Sequence, residues 1–394
     1  MKSYQQGFLY NIAATGFLYS LIIVDICRKL GTHNLIGIRN SVYAIFFALI
    51  MIDIIKNHKT VQILSIGIVM SFLYCMSYAM HSSYSGVYSA SIALFFSRLL
   101  PAFYIGRYTQ DWNRLGKCIL IFSPLAIAYT LILLFVPDLA SGQAYATIAS
   151  NLIVVTLLTF NYSISNKNIL GIAISLLCFV PVLFMGTRSF FLGTIISFIL
   201  LYYITVAQKS ATKKVWAIVI LLVIVLSFFL FGESLMRFLV QAFPDSRTIR
   251  YMASGDLLDV ANRDYFYRRI ISSLKDNPLK MYGLIGDRIY LSAPGSSVDD
   301  ILSNFSHNCI LELFMDFGVI LGFILSVYFI VILLKAFRKS CNLGKDLNRV
   351  FVIIFGCEIV NIMVSASFLS SYSIWLLFGL AYATCKQVEI KNVE

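Results

Sequence analysis

The feature that most constrains this chain is a succession of uninterrupted apolar runs, broken once by a long polar segment. Runs of eighteen or more apolar residues recur, and each can cross a hydrocarbon core of ~30 Å as a helix. Lipid offers no water to unpaired backbone groups, so helices and closed barrels are the structures open to such a chain. The runs are continuous and not alternating, which points to helices. Composition agrees: 59% of the 394 residues are apolar, 13% are charged, and the mean hydropathy is +0.83. The expected fold class is all-α, a polytopic membrane helix bundle of about twelve transmembrane helices with one large external loop.

The twelve spans read as 8–26, 41–55, 61–80, 87–106, 118–137, 147–164, 169–186, 190–206, 215–232, 317–334, 350–369 and 372–385. Three regions follow. Residues 1–232 carry spans one to nine, 233–316 form the external loop, and 317–394 carry spans ten to twelve with the C-terminus. The first run is too long for a signal-peptide core and lacks a small-residue cleavage site, so no cleaved leader is expected. The eight cysteines lie mostly within or beside apolar runs and none falls between 233 and 308. They read as small membrane hydrophobes, with neither a disulfide framework nor metal-ligand spacing.

Orientation follows from Lys and Arg in the short loops. With the N-terminus inside, seventeen basic residues fall in inner segments, among them Arg107, Arg114, Lys117, Lys213, Lys214, Arg338 and Lys339. Four fall in short outer loops: Arg28, Lys29, Arg39 and Arg188. Both termini are therefore expected in the cytoplasm and the long loop outside. The net charge of +12 belongs to this asymmetry, and nucleic acid is not an expected partner.

The external loop balances nine basic residues against nine acidic ones through residue 308. Leu257, Leu258, Val260, Phe266, Tyr267, Ile270, Ile271 and Leu274 recur at helical spacing. They predict an amphipathic helix from about Leu257 to Lys275, stopped by Asn277-Pro278. A second helical pattern, Ile301 to Phe317, leads into span ten. Between them lies a turn-rich stretch with Gly283, Gly286, Pro294 and Gly295.

Several residues could carry chemistry. Arg188, in Gly186-Thr187-Arg188-Ser189, lies at an outer hairpin, where its planar fork could bind phosphate oxygens or anchor the interface. Arg263 sits near the start of the loop helix, where the dipole disfavours a cation unless an anion holds it there; a solvated basic face is the other reading. His307 can take a proton from a hydroxyl near neutral pH, or can be a polar interfacial residue. Arg98 and Glu358 are ionisable groups inside spans, where such groups are costly and pair or line cavities. Asp299-Asp300 reads as a solvated turn, and no metal site is expected.

The order Thr187-Arg188, then Asn262-Arg263 through Pro278 to Gly286, then His307-Asn308 through Gly318, resembles the bacterial O-antigen polymerase and O-antigen ligase superfamily. Residues 180–330 carry this resemblance, and the first half matches in hydropathy alone. Nine residues separate Asn308 from Gly318, and the second glycine, Gly322, makes GxxxG where the ligase branch often has GxxG. The resemblance implies a fold of the C-type glycosyltransferase sort in the bacterial inner membrane. It implies cofactor-free and metal-independent glycosyl transfer from an undecaprenyl-pyrophosphate-linked oligosaccharide. Membrane lipid is a further partner, and a chain-length regulator a candidate one. Catalysis would fall to His307, Arg188 and Arg263, and substrate binding to Arg250, Arg98, Asn308 and Glu358. The polymerase branch is the favoured reading, a ligase acting on a lipid A core the alternative, and a lipid-linked sugar flippase the reading from another class.

Overall fold

Every element among the described residues is helical, as continuous apolar runs in lipid require. The computed structural model describes residues 7–29, 35–57, 60–135, 145–184, 188–205, 263–340 and 345–391, with isolated positions at 212, 215, 219, 240 and 241. In order these form α1 (Phe8–Lys29), α2 (Leu35–Asn57), α3 (Thr60–Met80), α4 (Ser85–Leu94), α5 (Leu100–Tyr108), α6 (Trp112–Ile121), α7 (Ser123–Phe135), α8 (Tyr145–Ser165), α9 (Ile169–Phe184) and α10 (Arg188–Thr205). The C-terminal part adds α11 (Arg263–Asp276), α12 (Gly286–Leu291), α13 (Val298–Ser303), α14 (Cys309–Ser340), α15 (Lys345–Val364) and α16 (Tyr372–Lys391).

By length and composition, three described helices can cross a membrane: Ser82–Tyr108, Cys309–Ser340 and Asp346–Val364. A fourth arises if the pair Trp112–Ile121 and Ser123–Leu133, bent by 52°, is one span. Shorter apolar helices accompany them, including Leu64–Met80 and Ser150–Ser165. The chain is thus an all-α polytopic membrane protein, while the described helices do not establish a count of twelve. The expected span 215–232 lies outside the described residues.

Three expectations change in detail, and a fourth is seen in part. The run at 118–137 is no single rod: Ser123-Pro124 restarts the helix at α7, because proline has no N–H to continue the ladder. Span eleven stops at Val364, five residues early, and a turn-rich segment leads to α16. The loop helix is seen from Arg263, and its residues before that are not described. The pattern from Ile301 to Phe317 is not one helix, because α13 ends at Ser303 and the chain breaks until Cys309.

Close helix approach depends on small residues. Where α10 crosses α15, a Cβ on Gly193 would lie 2.3 Å from the Cys357 carbonyl oxygen, and one on Gly356 would lie 2.6 Å from the Ser197 Cα. The Ser197 hydroxyl bonds the Ile353 carbonyl across the seam at 2.7 Å. Membrane helices gain little from excluding lipid, so backbone proximity and such bonds hold them together.

The polar segment, described from Arg263 on, sits on one end of the bundle. Its 282–285 turn is held by α3 and α4. His81 Nε2 bonds the Tyr282 carbonyl at 2.8 Å, the Leu284 N–H donates to Ser77 Oγ at 2.8 Å, and Tyr88 donates to the Leu284 carbonyl at 3.2 Å. Beneath α11, Ile270, Leu274, Leu291 and Met315 make a small core of their own.

Candidate active site

The site forms where the external segment meets the C-terminus of α15. A helix end leaves its last carbonyls without intrahelical partners. Asn308 Nδ2 donates to the Met363 carbonyl at 2.9 Å and Arg263 Nη1 donates to the Val364 carbonyl, while the His307 ring stands by the Ser365 backbone. Two residues marked by the sequence thus cap two successive carbonyls, with a third beside them. The cation among them meets the negative end of the helix dipole.

His307 occupies the left-handed region, with φ 53°. That conformation is uncommon for a residue with a Cβ and turns the chain sharply into α14. Asn308 Oδ1 then accepts from the Ile310 and Leu311 N–H groups at 2.9 and 3.1 Å, capping the new helix. The imidazole is half-buried, with Phe305 4.0 Å and Phe266 6.1 Å from its ring centre, and its Nδ1 has no hydrogen-bond partner. Burial lowers its pKa to about 4, helped by Arg263 and Arg288 and opposed by the Ser365 backbone. The ring is therefore neutral at pH 7, the state a proton acceptor needs.

Gly318 interrupts α14. Its φ of 74° and ψ of 164° belong to a region open essentially to glycine. The break exposes backbone groups to the loop: the Tyr282 and Gly283 N–H groups donate to the Met315 and Asp316 carbonyls, and the Val319 N–H to that of Pro278. Gly322 follows with a close approach, since a Cβ there would lie 2.7 Å from the Leu313 carbonyl oxygen. The GxxxG pair therefore forms the kink and the close packing beside it.

A buried polar network lies behind His307 and was not anticipated from sequence. Arg288 is 1% exposed, and Asp287, Glu312 and Asp316 are fully buried. Arg288 Nη2 donates to Ser367 Oγ at 2.6 Å and lies 3.6 Å from Glu312 Oε1, while Nη1 donates to the Leu302 carbonyl at 3.1 Å. Ser367 Oγ donates a hydrogen bond to Glu312, whose second oxygen accepts from the Phe368 N–H at 2.9 Å. Asp287 accepts from the Ser306 N–H at 3.0 Å and the Arg288 N–H at 2.8 Å. Burial pushes the Asp287 carboxyl up, against the pull of Arg288 and these N–H groups. Oxygens of Asp287, Glu312 and Asp316 lie within 4.8 Å of one another, a spacing that could hold a metal ion. Here the Arg288 guanidinium stands beside Asp287 and Glu312 as their counter-cation. The sequence held one cue: Glu312 and Asp316 stand one helical turn apart in an apolar run, where acids need a partner.

Arg188 opens α10, but its side chain is outside the described residues, as is all of Arg250. Arg98 sits on a π-helical turn, Phe95–Leu99, a distortion frequent at functional sites. Its Nη2 donates to Asn151 Oδ1 at 2.9 Å and its guanidinium lies 5.2 Å from the Tyr372 ring centre. Glu358 is buried and bonds Asn361 and Ser373. No ion pair joins Arg98 to Glu358 among the described residues.

Residues 173–327 match a family model described as O-Antigen ligase. The matched segment runs from α9 through the external loop into α14 and contains Arg188, Arg263, His307, Gly318 and Gly322. A comparison with curated proteins found no match.

Proposed function

We propose, from the premise that this chain is of the O-antigen polymerase and ligase superfamily of membrane glycosyl-transferring enzymes, that it is the polymerase of a bacterial surface polysaccharide. It joins undecaprenyl-pyrophosphate-linked oligosaccharide repeat units at the outer face of the cytoplasmic membrane. The observation that carries this reading is the docking of His307 and Arg263 on one helix end, beside an apolar bundle and within the matched segment.

The neutral imidazole of His307 takes the proton of an acceptor sugar hydroxyl as its oxygen bonds the anomeric carbon. The bond from that carbon to the pyrophosphate oxygen breaks, and its electron pair leaves with undecaprenyl pyrophosphate. Arg263 and Arg188 offset the charge that gathers on the leaving group, the role a metal ion plays in other transferases. Arg98, Arg250, Asn308 and Glu358 are secondary candidates for holding substrate. Asn308 already spends its amide on Met363 and on the start of α14.

The ligase reading shares this donor chemistry, and the matched model's description favours it. GxxxG in place of the ligase GxxG, with the high aromatic and isoleucine content, tilts toward the polymerase. Glycan profiling separates them, in a strain lacking the gene and complemented with wild type, Arg188→Ala, Arg263→Ala or His307→Ala. A ladder collapsed to a single repeat on the acceptor, restored by wild type alone, is the expected outcome. Full-length glycan stranded on undecaprenyl pyrophosphate would establish a ligase. Wild-type profiles from well-expressed variants would remove these side chains from the chemistry.

A further inference from the structure

We propose that Arg288 is the positioning residue for His307, holding both sides of the strained histidine turn through Leu302, Phe305, Ser367 and Glu312. The inference rests on the reading of His307 as the proton acceptor. A side chain in the left-handed region stays there only if its surroundings over-determine it. On the upstream side, Arg288 Nη1 bonds the Leu302 carbonyl at 3.1 Å, and its guanidinium lies 5.6 Å from the Phe305 ring centre. Phe305 in turn packs 4.0 Å from the His307 ring. On the downstream side, Nη2 bonds Ser367, which donates to Glu312 on α14. Ser367 lies two residues beyond Ser365, whose backbone stands by the imidazole. The neighbouring Asp287 pins the turn directly, accepting the Ser306 N–H at 3.0 Å.

One buried guanidinium thus ties together the segment before His307, the helix after it and the connector that orients its ring. Arg288 does not itself hydrogen-bond the imidazole among the described contacts, so it acts through these groups. Its charge also bears on the ring. The charged neighbours of His307 are Arg263 and Arg288, with Asp287, Glu312 and Asp316 around the latter. A lysine would keep the charge and lose the planar fork that spans Leu302 and Ser367.

The test uses the full chain purified in detergent, supplied with undecaprenyl-pyrophosphate-linked oligosaccharide extracted from the deletion strain. Arg288→Gln, Arg288→Lys and Ser367→Ala are compared with wild type after elution volume and thermal unfolding show which variants fold. We expect kcat to fall by about tenfold or more in each, since sub-ångström misplacement of a reacting group is costly. KM for the donor should stay within about twofold, because no binding contact is removed. The acid limb of kcat/KM should rise in Arg288→Gln by the small part of the lowering that the Arg288 charge supplies, burial and Arg263 holding the rest, and should stay near wild type in Arg288→Lys. Folded variants with wild-type kcat and an unmoved limb would overturn the proposal. If the Arg288 variants do not fold, Ser367→Ala decides by its kcat. Wild-type turnover by His307→Ala is a different failure: it removes the proton acceptor, and with it the function reading on which this inference rests.

Discussion

At the scale of single residues, His307 shows how a weakly informative signal becomes specific. In the sequence it is one of four histidines, legible only because it follows a polar loop and precedes an apolar run. Its φ of 53°, its unpartnered Nδ1 and the network behind it come from contacts made by residues up to sixty positions away. The lowered pKa has a consequence for stability. Between about 4, where the folded ring titrates, and 6.5, its ordinary value, the unfolded chain binds a proton that the folded chain refuses. The His307 contribution is therefore lost as pH falls from about 6.5 to about 4. Thermal unfolding followed across this range should show wild type losing more stability than His307→Gln. Parallel curves for the two would contradict the burial of a neutral ring. Arg263 was legible as an arginine awkwardly placed near a helix start. That it caps another helix was not, because α15 lies about a hundred residues further on.

At the scale of elements, apolar runs predicted which segments would be helices, and local chemistry predicted some of their ends. Asn277-Pro278 does follow the end of α11, since the residue before a proline is pushed out of the helical region. Breaks inside runs were harder to see. Hydropathy averages over the bend at Ser123-Pro124, which apolar residues flank on both sides, and over the stop at Val364, where Ala366, Phe368 and Leu369 offset Ser365 and Ser367. The Gly318 kink is the most consequential of these. Only a residue without a Cβ adopts its backbone angles comfortably, and three loop-to-helix hydrogen bonds depend on the break. Gly318→Ala should therefore destabilise the fold by about 1–3 kcal/mol, read as a lowered midpoint in detergent unfolding. It should also lower turnover, by releasing the 278–283 strap from α14. An unchanged midpoint would mean that the kink costs an alanine nothing.

At the scale of the whole molecule, the external segment gathers on one bundle end. It touches the C-termini of α3 and α15 and the N-terminus of α4. The basic residues at the opposite ends include Arg349, which bonds Ser165, and Lys339, which bonds the Cys385 carbonyl. The Lys and Arg asymmetry leads us to expect that the end carrying the site faces outward. A green fluorescent protein fused after Glu394 should fluoresce, since that fold matures in the cytoplasm. Ala293→Cys, on the exposed turn before α13, should react with a membrane-impermeant maleimide in intact cells above the level of the unsubstituted chain. A dark fusion with an unlabelled cysteine would invert the topology.

The sequence by itself determined that this chain is helical and lives in lipid, because hydropathy and backbone hydrogen bonding are properties of each run taken alone. It also marked His307, Asn308, Arg263 and Gly318, since a polar, charged or Cβ-less residue stands out at a membrane boundary. Only the tertiary structure decided that Asn308 and Arg263 cap one helix end with His307 beside them, and that Arg288, Glu312 and Ser367 brace the turn. Those partners are tens of residues apart in the chain. Which of them meet depends on how helices pack side by side, and no local pattern encodes that choice.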